Sequence, residues 1–374
     1  MENIKQTNEF YTSYSKMDTY KSCPQQYKYK YIDKLEPKTK KRSLYVGTHI
    51  HKLIELFYVQ RTPELLEARR EAYNTFMNTE YVCANPDVPF EEIQNKADEL
   101  LKDTLTWREY LNVVIREEFN NLSEDMKNEV GLNYVEDLAH MMAQYEYYYS
   151  NDKIEVLDIE HNKKCYLGTY NGKDVQLVFI CDGVVRLPNK KIYILEHKSY
   201  KDNPMTFEDT WLNTQTAIYV SALRAQGYEI EGVLWDNIKS TAPKAPNILK
   251  NGSYGKQTSN VTLFSFIDFD TIMAGPEAVI EFINNLPQEV RDLGIDGNKD
   301  NFLSRHITVF NEKAVDEILS DTSKVLGEIT KDEPLVYRNM GWTCNGCSFR
   351  GLCQAQMLGQ DVDILISTLY NKKD

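Results

Sequence analysis

The chain has 374 residues, of which 42% are hydrophobic and 26% charged, a composition typical of a folded protein rather than a disordered one. Its length favours two or three domains with a sizeable core. No stretch approaches the roughly 20 apolar residues of a membrane span, and the first residues lack the apolar segment of a secretory signal. We therefore expect a cytoplasmic protein with no membrane partner. The formal net charge of −13 on its face argues against a nucleic-acid partner.

The charge is distributed unevenly along the chain. Residues 1–42 contain 10 Lys and Arg against 5 Asp and Glu, a net of +5. Residues 61–150 contain 8 Lys and Arg against 19 Asp and Glu, a net of −11. One segment therefore carries most of the negative charge, and the average does not describe the rest of the chain.

The first part of the chain is predicted to be helical. A capping box at Ser15–Asp18 opens a short helix that ends near Cys23, and apolar residues at helical spacing predict a second helix over 47–59. Residues 61–150 have apolar residues three and four apart and no strand alternation. This pattern predicts an acidic, all-helical insertion.

From residue 154 the pattern changes to short β-branched and aromatic runs. The runs over 154–198 are separated by turn residues and predict an antiparallel meander. A helix at about 205–226, a strand at 232–238, a Pro-, Gly- and Ser-rich loop at 241–260 and a helix at 312–329 follow. This order predicts an α/β or α+β fold with a mixed central sheet flanked by helices.

These patterns divide the chain into four expected units. They are N-terminal helices at 1–60, the acidic helical insertion at 61–150, the core at 151–306, and C-terminal helices with a Cys-rich region at 307–374. No internal repeat or low-complexity tract interrupts this order.

Three charged residues end two apolar runs of the core. Asp182 follows one run, and Glu196 and Lys198 close the other. Alternate residues of a strand share a face, so Asp182 and Glu196 can converge on one hard cation if their strands are neighbours. Lys198 can then orient an attacking water and offset the charge of a pentavalent phosphate. Metal-assisted phosphodiester hydrolysis needs this set, and the alternative interpretation is a solvated strand end that carries these charges by chance.

Two helical features add to this set, each with an ordinary alternative. His51 lies one turn before Glu55 on the second helix, where a histidine among apolar neighbours is more often part of the core. Gln215 and Tyr219 share a face of the helix that follows Lys198, which any amphipathic helix would also provide.

The C-terminal region contains three closely spaced cysteines, Cys344, Cys347 and Cys353. Three thiolates cannot complete a four-ligand site, and Cys23 is the obvious fourth, which would tie the two ends of the chain together. Zinc and an iron–sulfur cluster both accept four cysteine ligands, so both remain open. The other cysteines lack this spacing and are interpreted as buried thiols: Cys83, Cys165 and Cys181.

Taken in order, these residues closely resemble those of PD-(D/E)XK nucleases of the RecB/AddB type, including the CRISPR-associated iron–sulfur exonucleases and especially phage-borne single-chain members. The likeness covers residues 11–60 and 154–358. The proline of the family's name is absent here, since Cys181 precedes Asp182. The matching segments are Ser13-Tyr14-Ser15, Cys23-Pro24, Gly47-x3-His51, Asp182, Glu196-x-Lys198, Gln215-x3-Tyr219 and Cys344-x2-Cys347-x5-Cys353.

The resemblance implies a restriction-endonuclease-like core at 151–306 and cleavage of DNA with Mg²⁺ or Mn²⁺. It makes Lys198 the catalytic lysine, with Gln215 and Tyr219 beside the active site and the DNA strand. It assigns the metal to His51, Asp182, Glu196 and the backbone carbonyl of His197.

The same resemblance covers two further features. It implies that a [4Fe–4S] cluster is held by Cys23, Cys344, Cys347 and Cys353. Glu160 lies where related nucleases often carry another acidic residue, and it receives no assigned role.

Some basic and aromatic residues are candidates for DNA contact, with solvated surface or packing as the alternative. Tyr27, together with Tyr29 and Tyr31, could stack on exposed bases or pack against the cluster. The candidate phosphate contacts are Lys244, Lys250, Lys256 and Arg305.

The first hypothesis is a metal-dependent DNase, an exonuclease on single-stranded DNA or duplex ends, in a bacterial or phage-infected host cytoplasm. The alternatives are a catalytically silent DNA-end-binding or recombination partner and a zinc-stabilised scaffold protein. Residues 168–174 do not form a P-loop, so any helicase would be a separate partner. We expect a polarised molecule, with DNA near the basic N-terminal and loop lysines and with the acidic helices turned away.

Overall fold

The computed structural model describes residues 8–38, 42–77, 89–160, 162–204, 206, 208, 210, 213–255 and 259–373. The strands are β1 (Glu9–Thr12), β2 (Leu35–Pro37), β3 (Glu155–Ile159), β4 (Asn162–Tyr170), β5 (Lys173–Ile180), β6 (Gly183–Arg186), β7 (Ile192–Tyr200), β8 (Ile230–Lys239), β9 (Leu303–Val309) and β10 (Tyr370–Lys372). The α-helices are α1 (Tyr14–Ser22), α2 (Pro24–Tyr27), α3 (Arg42–Gln60), α4 (Pro63–Met77), α5 (Phe90–Lys102), α6 (Trp107–Tyr110), α7 (Arg116–Asn120), α8 (Glu124–Val130), α9 (Tyr134–Tyr149), α10 (Thr214–Ala225), α11 (Phe269–Ala274), α12 (Pro276–Asn284), α13 (Gln288–Arg291), α14 (Glu312–Ile329), α15 (Arg350–Met357) and α16 (Asp363–Leu369).

A five-stranded mixed sheet forms the centre of the fold, in the order β3-β6-β7-β8-β9. β7 and β8 are parallel, and the other neighbours are antiparallel. A parallel pair needs a crossover connection, which here contains α10. Asn213 caps this helix, because its side chain accepts a hydrogen bond from the Thr216 N–H. The predicted mixed sheet flanked by helices is confirmed.

Different helices cover the two faces of the central sheet. Leu195 packs in a core with residues of α3 and α9, whereas its neighbour Ile194 packs with residues of α10 and α14. Adjacent residues of a strand point to opposite faces, so β7 is buried on both sides. The first core also contains Leu138 and Tyr145. The expected boundary near residue 150 therefore does not separate two cores, because α9 belongs to the layer that covers the sheet.

A smaller sheet, which we call the outer sheet, has the order β1-β5-β4. β1 runs parallel to β5, and β4 runs antiparallel to it. The predicted meander over 154–198 is thus divided, with β4 and β5 in the outer sheet and β3, β6 and β7 in the central sheet. The chain passes from one sheet to the other at Asp182, between β5 and β6.

Two segments from opposite parts of the sequence meet in a terminal lobe formed by residues 23–37 and 338–373. β2 pairs antiparallel with β10. Tyr29, Leu352 and Tyr370 are buried together in a small hydrophobic cluster. The lobe therefore connects segments from opposite ends of the sequence.

Several helix boundaries differ from the predicted ones. α1 begins after Ser13 rather than Ser15, because the Ser13 side chain accepts from the Lys16 N–H and caps the helix. α3 begins at Arg42, earlier than the predicted start at 47, and α14 has the predicted bounds. No helix within the described ranges combines the length and apolar character that a bilayer span requires.

Candidate active site

The candidate site forms where the two sheets separate. Gly183 pairs with Leu195 across β6 and β7, which brings Asp182 next to Glu196 and His197. The His197 N–H donates a hydrogen bond of 2.6 Å to Asp182 Oδ2. The structure thus brings the two carboxylates together where β6 begins beside β7, within the central sheet.

The side chain of His51, on α3, reaches the same place. Its Nδ1 lies 3.4 Å from Asp182 Oδ1. Ligand atoms of His51, Glu160 and Asp182 all lie within 4.8 Å of one another, and they form the only such group of three metal-ligating side chains among the described residues. The sequence marks Glu160 only as an acidic residue at a strand end, and its nearness to His51 becomes visible in the fold.

The backbone at Glu160 has an uncommon conformation. Its φ of 44° lies in the left-handed region, which residues other than glycine rarely adopt. The Glu160 N–H donates to the Asp182 carbonyl oxygen at 3.3 Å, which ties the end of β3 to the start of β6. Conformations of this kind persist where the surrounding structure holds them, and they concentrate at functional sites.

The carboxyl groups of the site have opposite pKa shifts. Burial and the neighbouring carboxylates of Asp182 and Glu55 raise the pKa of Glu160 to about 8. Burial works in the same direction on Asp182, but the charge and hydrogen bond of His51, with His197, lower the pKa of Asp182 to about 2. Burial and then the charge of Asp182 raise the pKa of Glu196. The three carboxyl groups thus lie so close that ionisation of Asp182 disfavours ionisation of the other two.

These residues fit a divalent cation. Two carboxylates and an imidazole with convergent ligand atoms are a donor set that Mg²⁺ and Mn²⁺ accept. Burial, and then the charges of Asp182 and Glu55, favour the protonated form of Glu160. A bound cation would favour the ionised form of Glu160.

Lys198 lies beside these ligands. Its Nζ is 2.6 Å from Glu196 Oε1, and Glu196 is buried. Burial lowers the pKa of Lys198, but the charge of Glu196 outweighs it, so the pKa is raised and the ammonium is retained. This ion pair fixes one positive charge, the Lys198 ammonium, next to the carboxylates of the site.

The site opens into a surface cavity of about 500 Å³. His51, Glu55, Glu160, Ile180 and Asp182 are among the residues that line it. None of the lining residues within the described ranges belongs to 61–150.

The helix after β7 carries Gln215 and Tyr219, and the charge of Glu196 acts on Tyr219. Gln215 Nε2 donates to the Tyr219 hydroxyl at 3.3 Å, and the Tyr219 ring packs against Phe179 at 4.8 Å between centroids. Burial raises the pKa of Tyr219 to about 12, so its hydroxyl stays protonated. The two side chains expected beside the active site therefore form one hydrogen-bonded pair.

Behind β7 lies a buried polar network that the sequence did not reveal. His197 Nδ1 lies 2.9 Å from Asp236 Oδ2, and the Tyr145 hydroxyl donates to the same oxygen at 2.5 Å. Arg305 Nε donates to Asp236 Oδ1 at 2.7 Å, and its guanidinium also bonds Asp152 at 2.5 Å. The network joins strands β7, β8 and β9 to the helix α9 that covers them.

Arg305 was expected at a DNA phosphate, and the structure does not support this. Its side chain is 14% exposed and bonded to two carboxylates, so its charge serves the fold. Tyr27 is also buried, between the rings of Tyr20 and Tyr31, and packing replaces the expected base contact.

The structure describes two of the three loop lysines that were expected to contact phosphates. Lys244 and Lys250 are exposed, as a phosphate contact requires. Lys256 lies outside the described residues.

The four cysteines of the proposed cluster lie in the terminal lobe. They line one cavity of about 250 Å³, together with Tyr29 and Phe349 among other residues, and the four are Cys23, Cys344, Cys347 and Cys353. All four are free thiols. Of the others, Cys181 is buried, Cys165 is only partly buried, and Cys83 lies outside the described residues.

Comparisons with known proteins give one family. The chain is similar to the crystal structure of SSO0001, with 12% identity over 66% of this chain and 79% of that one. The TM-score of that superposition is 0.28, so we draw no argument from it. No curated protein sequence matches the chain. The sequence model described as the PD-(D/E)XK nuclease superfamily matches residues 11–354, which is most of the chain, and the protein therefore belongs to the PD-(D/E)XK nuclease superfamily.

Proposed function

We propose that the protein is a DNA exonuclease that hydrolyses phosphodiesters in single-stranded DNA or at duplex ends with Mg²⁺ or Mn²⁺. The observation that carries this proposal is the convergence of His51, Glu160 and Asp182 within 4.8 Å, beside the Lys198–Glu196 pair. Membership of a nuclease superfamily gives the reaction class, and the intact set of acids and lysine supports catalysis over binding alone.

The proposed roles follow from the contacts of each side chain. His51, Glu160, Asp182 and Glu196, with the His197 carbonyl, would hold the cation, which supplies Lewis-acid polarisation of the phosphate and lowers the pKa of water. Asp182 is fixed by the His197 N–H and therefore presents its carboxylate in one orientation. A preorganised group costs no rearrangement during the reaction.

Lys198 would act directly on the reacting phosphate. Its ammonium is held by Glu196 at 2.6 Å and is 27% exposed, so it is both oriented and accessible. A fixed positive charge next to a phosphate offsets the negative charge that develops during in-line attack. Gln215 and Tyr219 form a hydrogen-bonded pair near Glu196, and this pair would contact the DNA strand beside the active site.

The second part of the proposal is a [4Fe–4S] cluster on the four cysteines of the terminal lobe. Their shared cavity supports a bound group larger than a single ion. No three of these described thiols have sulfur atoms within 4.8 Å of one another. A tetrahedral zinc site with bonds of about 2.3 Å requires sulfurs about 3.8 Å apart, so the spacing favours the larger cluster.

The finer assignment follows from the cysteine set. We infer a RecB/AddB-type iron–sulfur exonuclease, of phage or bacterial origin, that acts in the cytoplasm and receives its substrate from a separate helicase or recombination protein. The cluster would then be a structural link between the two ends of the chain, since Cys23 and Cys353 come from its two halves.

The substrate class is tested with linear and circular DNA. Wild-type protein is incubated with end-labelled linear single strands, linear duplexes and circular single strands in Mg²⁺ or Mn²⁺, with EDTA as the control. We expect linear DNA to be degraded from its ends, circular DNA to remain intact, and EDTA to stop the reaction. Equal cutting of the circle would refute exonuclease action, and no cutting of any DNA would refute the nuclease.

A further inference from the structure

The outer sheet has an exposed face that ends at the candidate active site. Along β5, side chains that point away from the core alternate with buried ones, and Ile180 is the last of the outward-pointing side chains. Ile180 lies two residues before Asp182 and lines the same cavity. Side chains on one face of a strand repeat every two residues, so this face runs directly into the site.

Two tyrosines form a row across this face. Tyr11 of β1 and Tyr166 of β4 both stand opposite Gln176 of β5. Their side chains are 46% and 55% exposed. Neighbouring strands lie about 4.8 Å apart, so the two rings flank a flat surface about 10 Å wide. A single exposed tyrosine needs no explanation, but a matched pair on one exposed sheet face offers two aromatic surfaces to a ligand.

Basic and acidic residues lie at different ends of this face. Lys164 stands opposite Val178, between the tyrosine row and the active site, and its Nζ lies 5.2 Å from the Tyr11 ring centroid. The acids lie at the other end, where Glu9 accepts from the Tyr11 hydroxyl and Asp174 accepts from Thr169. Lys164 would therefore attract a polyanion at the tyrosine row, and Glu9 and Asp174 would repel it at the far end, whereas the carboxylates of the active site need a bound cation before they accept a phosphate.

We propose that this face, with Tyr11, Lys164, Tyr166 and Gln176, binds the bases of a DNA single strand whose cleaved phosphate lies at Asp182. The proposal rests on the proposed nuclease function. Every base has an aromatic face, so stacking on tyrosine is independent of sequence, and a lysine beside the rings pairs with the backbone. Bases within a duplex are already stacked and paired, so this surface would favour single strands.

The length of the face sets the position of the bound bases. Six residues separate Gln176 from Asp182, which corresponds to about 20 Å along the strand. The stacked bases therefore lie several nucleotides away from the cleaved bond. A short oligonucleotide that covers only the active site cannot reach the tyrosines, whereas a longer one can.

The test compares binding of a long and a short thymidine oligonucleotide and of a duplex, by fluorescence anisotropy in EDTA so that no cleavage occurs. The variant is Tyr11→Leu with Tyr166→Leu, which keeps apolar surface and strand propensity but removes the rings. We expect it to bind the long oligonucleotide roughly tenfold more weakly than wild type, with the short oligonucleotide and the duplex unaffected. Tyr11→Phe with Tyr166→Phe keeps the rings and should bind like wild type.

The control is Tyr337→Ala, which removes a tyrosine that is 51% exposed in the segment leading to the terminal lobe. Equal binding of the long oligonucleotide by the leucine pair and wild type would overturn the proposal, as would equal losses on all three ligands. A thermal melt of each variant shows whether it is folded. If the leucine pair is not folded, the single change Tyr166→Leu decides the question, because loss of one ring should still weaken binding of the long oligonucleotide and leave binding of the short one unchanged. Cleavage by wild type in Mn²⁺ is measured in parallel. If wild type binds through the tyrosines but cuts nothing, the nuclease function fails, and with it the cleaved phosphate at Asp182, whereas binding of single-stranded DNA by this face stands.

Discussion

The guanidinium of Arg305 donates to Asp236 at 2.7 Å beneath the candidate active site, and Asp236 is completely buried. Burial disfavours the charged form of Asp236, but Arg305 and His197 outweigh it and hold the pKa of Asp236 well below its ordinary value. The same network contacts the ring of His197, and the backbone N–H of this residue orients Asp182. A basic residue that looks like a DNA contact in the sequence is therefore part of the support of the site.

This relationship predicts a stability effect at Arg305. Arg305→Ala leaves the fully buried Asp236 without its guanidinium, whereas Asp152 keeps its pair with Arg61, and the change should lower the free energy of unfolding by about 3–5 kcal/mol. Chemical denaturation of the metal-free protein measures it. The control is Arg186→Ala, which breaks a surface pair with Glu155 and should cost about 0–1 kcal/mol. Equal, small effects of both changes would contradict the structural role.

The pKa of Glu160 predicts how pH affects the metal site. It is raised to about 8 in the folded protein, so the folded state holds a proton that the unfolded state has lost. Stability of the metal-free protein should therefore fall as pH rises from about 4.5 to about 8. A cation must displace this proton, so the apparent affinity for Mn²⁺ should increase up to about pH 8 and then level off.

Titration calorimetry with Mn²⁺ across this pH range tests the prediction. Glu160→Gln should bind Mn²⁺ more weakly and lose the increase near pH 8, whereas the exposed-site change Glu64→Gln should keep it. An unchanged pH profile in Glu160→Gln would remove Glu160 from the ligand set.

An iron–sulfur cluster in the cavity lined by the four cysteines would give the protein a visible colour. Anaerobically purified wild type should be brown, with broad visible absorbance and about four iron and four sulfide per chain. Cys347→Ser should lose the colour and loosen the terminal lobe, and Cys165→Ser, which lies in the outer sheet, should keep both iron and colour. A colourless wild type with about one zinc per chain would favour the zinc alternative instead.

Gly232 tests the packing of the central sheet. A Cβ atom added there would lie 2.1 Å from the Thr308 carbonyl oxygen, so β8 and β9 would have to separate. Gly232→Ala should destabilise the protein by about 1–3 kcal/mol or more, measured by thermal unfolding. Gly297→Ala meets no atom within 4 Å and should leave the melting temperature almost unchanged. Similar melts for both variants would mean that β9 is not packed against β8 as described.

The sequence predicts those parts of the site that depend on local patterns. Asp182, Glu196 and Lys198 stand at the ends of apolar runs, and strand alternation is enough to align the last two. The same alternation does not show that the meander divides between two sheets, because it does not specify which strands pair.

Contacts between distant segments could not be predicted in this way. Arg305 and Asp152 are 153 residues apart, and no periodicity links them. Glu160 joins His51 only because β3 and α3 meet in the fold, which brings together residues far apart in the chain. Tyr27 lies in a basic, tyrosine-rich run that is typical of a nucleic-acid contact, yet it is buried by the rings next to it. Burial of a tyrosine is decided by its neighbours in space and not by the run in which it lies.

The most direct measurement is single-turnover cleavage of end-labelled single-stranded DNA in Mn²⁺ by wild type, Lys198→Ala and Glu196→Ala, with Lys191→Ala as the control. Lys191 lies immediately before β7 and outside the site, paired with Glu231 at the surface. We predict that wild type and Lys191→Ala cut at the same rate, and that the two site variants are slower by roughly 100-fold or more while they stay folded. Equal rates in all four proteins would contradict the assignment of this site.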